Sequence, residues 1–91
     1  MRELIQEYKH QVRSDDDILY TILAYGELRK DGNWEGWLEF RPYKGIGATL
    51  RTGRETTQPD RNALAYWASG LEAIYFEGAL KRAFRLESRN A

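Results

Sequence analysis

A chain of 91 residues is enough for one small domain with one core and leaves little to wall a deep cleft, so 1–91 reads as a single domain. The 42% hydrophobic and 13% aromatic content excludes a disordered chain. Fourteen basic residues balance fourteen acidic ones, so no net field draws the chain to nucleic acid or an anionic membrane, and the lack of cysteine excludes disulfides, thiolate nucleophiles and cysteine-bound zinc.

The opening run MRELIQEYKHQVR is too charged for a signal peptide, and nothing in the chain approaches the roughly 20 apolar residues that span a bilayer. A cytoplasmic protein is the expectation. Leu4, Ile5, Tyr8 and Val12 fall at helical spacing with Arg2, Glu3, Glu7 and Lys9 between them, which predicts a short N-terminal helix over 2–12. Ser14-Asp15-Asp16-Asp17 ends it with residues that favour caps and turns.

From Ile18 to Leu28 the chain is rich in β-branched and aromatic residues, and Lys30-Asp31-Gly32 then signals a hairpin before Trp34 opens a second strand. A three-residue loop with Gly32 left-handed pairs Leu28 with Trp34, Gly26 with Gly36, Ala24 with Leu38 and Ile22 with Phe40, all on one face. The other face then carries Leu19, Leu23, Tyr25 and Trp37, edged by Glu27, Glu35, Glu39 and Arg41. Both faces are partly apolar, so both need a cover. Gly26 opposite Gly36 leaves a spot without side chains that a neighbour can approach closely. Pro42, Gly45 and Gly47 end the strand, and a third strand is expected from Ala48 to about Arg54.

Thr57-Gln58-Pro59-Asp60 has the character of a helix start, with Thr57 as cap. A long C-terminal helix follows, with Leu64, Trp67, Ala68, Leu71, Ile74, Tyr75 and Gly78 in one stripe; Ser69-Gly70 is the place where it could split. The fold class is therefore α+β: a short N-terminal helix, a three-stranded antiparallel sheet and a long C-terminal helix packed on one sheet face.

Few residues carry chemistry. His10, the single histidine, has no nucleophile motif near it, and Asp15-Asp16-Asp17 lacks the spacing of a calcium loop. No catalytic residue, metal or cofactor is expected. Arg51, Arg54 and Glu55, between a strand and a helix start, are candidate ligand contacts, and Trp34, Tyr66 and Trp67 could line an aromatic pocket between helix and sheet beside Phe40. Trp37 has Glu35 and Glu39 on its own face, which argues against nucleic acid.

The runs WEGWLEF, RETTQP and YFEGALKRA resemble an uncharacterised family of short bacterial proteins with no assigned activity. The order of three strands and a helix is also similar to HicB-type antitoxins, and the resemblance implies a toxin-like protein partner. A mobile gene cassette would suit so compact a chain. The functional expectation is a non-enzymatic homodimeric interaction domain, with Leu19, Leu23, Tyr25 and Trp37 as the dimer interface. The alternatives are a small-molecule binder and an antitoxin-like protein that binds another protein.

Overall fold

The computed structural model describes residues 1–90. Its centre is the hairpin of β2 (Leu19–Leu28) and β3 (Trp34–Pro42), paired Leu28 with Trp34, Gly26 with Gly36, Ala24 with Leu38 and Ile22 with Phe40. This is the expected register. Gly32 closes the loop at φ 89°, a backbone conformation that disfavours any side chain.

The predicted N-terminal helix is absent; Glu3–Arg13 forms β1, an edge strand antiparallel to β2. Its register slips between Leu4 and Gln6 and again between Glu7 and Gln11. The first inserts one residue and resets the two-residue alternation, so Ile5 and Tyr8, three apart, both pack toward the helices; the second inserts two, which keeps the alternation, and Val12, four beyond Tyr8, joins the core on the same side. A bulged strand thus imitates helical spacing. What decides between the two is the edge of β2, a largely buried strand whose backbone groups need a ladder partner.

The sheet has five strands rather than three, in the order β1-β2-β3-β4, with the fifth also paired to β3. The strand expected over 48–54 shrinks to β4 (Leu50–Arg51), and the chain returns to β3 as β5 (Thr56–Gln58). Thr52 holds the gap. Its N–H donates to the Leu38 carbonyl at 3.0 Å and its hydroxyl accepts from the Leu38 N–H at 3.1 Å, replacing the carbonyl that the ladder loses there. Thr57 is consequently a strand residue. The helix cap is Asp60, whose carboxylate accepts from the Ala63 N–H at 2.8 Å.

The single long helix is also corrected. α1 (Arg61–Ser69) stops at Gly70, and α2 (Ala73–Asn90) restarts where the Glu72 carbonyl accepts from the Tyr75 and Phe76 N–H groups. The break changes the helical phase. Leu64 and Ala68 of the expected stripe are buried, but Ile74 beyond the break is 80% exposed, and Phe76, Ala79, Leu80 and Ala83 form the inner face of α2.

Both helices pack on one face of the sheet, against Tyr20, Ile22, Ala24, Leu38, Phe40 and Leu50. Leu64 sits in the Gly26–Gly36 gap: a Cβ on Gly36 would lie 2.6 Å from its Cδ1, and one on Gly26 would collide with its Cδ2. Among the described residues no helix is long and apolar enough to cross a membrane.

Candidate functional site

Among the described residues no helix lies on the opposite sheet face. Alternation along the ladder places Leu4 and Glu7 of β1, Leu19, Leu23, Tyr25 and Glu27 of β2, Glu35, Trp37, Glu39 and Arg41 of β3 and Arg51 of β4 on this side. Leu23, Tyr25 and Trp37 form a second small apolar cluster, and Leu19 is half-buried. Within the single chain Trp37 is only 2% exposed.

Arginines provide that cover. The Arg51 guanidinium lies 4.0 Å from the centre of the Trp37 ring, and the Arg2 guanidinium 4.3 Å from that of Tyr25. Such contacts stabilise by about 0.5–1 kcal/mol at an exposed site and let the arginine stem cover apolar surface. Arg41 donates to the Tyr25 hydroxyl at 2.7 Å, spanning the register position of Leu23. The two rings lie nearly parallel, 18° apart, with centroids 6.4 Å from one another.

Glu39 is the ionic centre of this layer. Its carboxylate is almost fully buried and accepts from Arg2 and, at 3.2 Å, from the Trp37 indole N–H. The bond and charge of Glu39 hold the Arg2 guanidinium above its ordinary range. A buried carboxylate is costly without such partners, so Arg2 and Trp37 are fixed in place by the group they satisfy. The acidity that flanks Trp37 in the sequence is thus partly cancelled. Glu35 keeps a looser partner, Arg29 at 3.8 Å.

On the helix side Glu55 is held in a parallel way. It accepts from the Tyr75 hydroxyl at 2.5 Å and from the Arg82 Nε at 3.2 Å, clasping α2 to the β4–β5 connection. Burial first, and then the bond and charge of Glu55, push the Tyr75 phenol up to about 12. Both buried carboxylates are therefore occupied by an arginine and an aromatic donor.

The residues expected around one pocket divide between the two faces. Phe40 is fully buried in the core, Trp67 packs over Gly36 and edge-on to Tyr75, and Tyr66 points outward, 82% exposed. Trp34 lies at the sheet end beside Gln58, Arg54 is exposed, and Arg51 belongs to the other face. Two open clefts lie elsewhere. One, of about 580 Å³, runs between Ser14–Asp16 and the Leu80–Phe84 side of α2; the other, of about 520 Å³, lies between Tyr8–His10 and Leu71–Phe76. Among the described residues no group of three or more His, Cys, Asp or Glu side chains is placed to hold a metal ion.

Sequence reasoning missed Arg2, Glu39 and Tyr75 as structural partners. Only for Glu39 was a signal present, since the hairpin register already placed it beside Trp37. No protein-family model, curated protein or solved structure matches the chain.

Proposed function

We propose that the chain is a non-enzymatic interaction domain that works as a homodimer, joined through the helix-free sheet face, in the cytoplasm to which a cysteine-free chain is suited. The reading is carried by one observation: a five-stranded sheet with its helices on one side only, whose other side is closed by arginine side chains over two aromatic rings. Aromatic residues and arginines are the types enriched where proteins meet. The occupied state of Glu39 and Glu55 supports a role without chemistry.

The size of the face sets the expected strength. Three long strands at ~4.8 Å spacing and ~3.3 Å per residue, with the two short ones, present roughly 500 Å² per copy. Stable complexes use about 800 Å² per partner, so a face of this size belongs with the weak, reversible ones and the dimer is expected to depend on concentration. Light scattering behind a sizing column, over a range of loading concentrations, tests this. The mass should rise from 10.7 kDa toward twice that value in the wild type. It should stay at one chain in Leu4→Lys, which puts a charge at a 44% exposed position beside Tyr25. A wild type that remains a monomer at millimolar loading refutes the proposal.

A further inference from the structure

The ladder aligns four residues in one row across the helix-free face: Glu7 opposite Leu23, Leu23 opposite Glu39, and Glu39 opposite Arg51. The row ends in opposite charges. Its inner members are buried, Leu23 to 4% and Glu39 to 3%, while Glu7 and Arg51 at the ends are exposed. Arg51 is also preorganised, because its guanidinium rests on the Trp37 ring at 4.0 Å. A stacked arginine keeps its N–H edges free for a carboxylate and has less rotamer freedom to lose.

We infer that a second copy of this chain docks face to face about a two-fold axis parallel to the strands, between β2 and β3, so that Arg51 of each copy pairs with Glu7 of the other. This inference rests on the homodimer reading given above. The axis turns the Glu7-Leu23-Glu39-Arg51 row end for end, which sets each terminal charge over its opposite. Facing sheets lie about 10 Å apart, a distance an arginine and a glutamate reach together. In the adjacent row, Leu4-Tyr25-Trp37, the same axis lays Tyr25 over Trp37 of the second copy.

An in-plane two-fold across the strands, laid along this row, puts β1 on β1 and β4 on β4, and so brings charges of one sign together at both ends of the row. The chosen axis creates two kinds of like-charge contact, each repeated by the symmetry. Glu27 faces Glu35 of the second copy, offset by Arg29 at 3.8 Å from Glu35 in its own chain. Arg2, stacked on Tyr25, nears Arg51 of the second copy, stacked on Trp37; Glu39 offsets Arg2 within its own chain and Glu7 offsets Arg51 across the interface. What meets across the interface is then mainly charged. Leu23, Tyr25 and Trp37 are already covered within each chain, so they contribute shape more than newly buried area.

Glu7→Arg and Arg51→Glu test the pairing, both at exposed positions. Sedimentation equilibrium in low salt supplies the association constants, and far-UV circular dichroism confirms that each variant is folded. Either variant alone turns two attractive pairs into two repulsive ones and should weaken association about ten-fold or more. An equimolar mixture of the two should associate like the wild type, because the mixed dimer regains both pairs. The double variant Glu7→Arg/Arg51→Glu should self-associate like the wild type for the same reason. If the single variants associate as the wild type does, or the mixture no better than its parts, the axis is wrong although the dimer stands. A wild type that never associates removes the dimer reading itself, and this inference with it.

Discussion

Leu64 is 1% exposed and rests on two glycines, so its energetics are coupled to theirs. Leu64→Ala leaves a hole floored by the backbone of β2 and β3, which cannot collapse inward without breaking the ladder. Leucine-to-alanine changes cost about 2–5 kcal/mol, and a site that cannot relax stays clear of the low end, at about 3–4 kcal/mol. Gly26→Ala places a Cβ against the Leu64 Cδ2, with the Glu35 carbonyl oxygen and the Ile5 side chain each at 3.3 Å. Overpacking of this kind costs about 1–3 kcal/mol. If the two effects were independent, the double variant would lose about 4–7 kcal/mol, a large part of the roughly 5–14 kcal/mol a domain of this length holds. They are not independent, because the methyl group that Gly26→Ala adds enters the space that Leu64 vacates. The double variant should be no less stable than Leu64→Ala alone. Urea denaturation of the wild type, the two single variants and the double gives the coupling directly. Additivity to within about 0.5 kcal/mol would refute the claim that Leu64 fills the glycine gap.

Asp60→Ala removes the carboxylate that accepts the Ala63 N–H and should lower stability by about 1 kcal/mol, whereas Thr57→Ala should cost no helix cap at all; comparing their urea midpoints checks which residue starts α1. Tyr75 has a folded-state pKa of about 12 against an ordinary value of 10.0, so the neutral phenol is favoured by folding. That stability is complete below pH 10 and is lost as pH rises from 10 toward about 12. The melting temperature of the wild type should therefore fall more steeply across this window than that of Tyr75→Phe, and parallel curves would contradict the buried contact with Glu55.

The hairpin was legible because its information is local. Gly32 fixes the loop, the loop fixes the register, and the register fixes which side chains share a face, including Trp37 with Glu39. The absence of a nucleophile motif and of cysteine was equally plain in the chain itself. The misreadings share one cause. β1 has apolar residues at helical spacing, and only the unpaired edge of β2 makes it a strand with two bulges. The stripe across Gly70 continued in sequence, yet a three-residue turn between helices rotates the second one, turning Ile74 outward and Phe76 inward.

The candidate face divides along the same line. Its apolar members follow from alternation, which every strand obeys. Its cover comes from Arg2, just ahead of β1, and from Arg51 on β4, far from Tyr25 and Trp37 in the chain, and whether an arginine reaches a given ring depends on which strands lie side by side. The row from Glu7 to Arg51 joins four strands. No sequence spacing encodes it; pairing across the assembled sheet does.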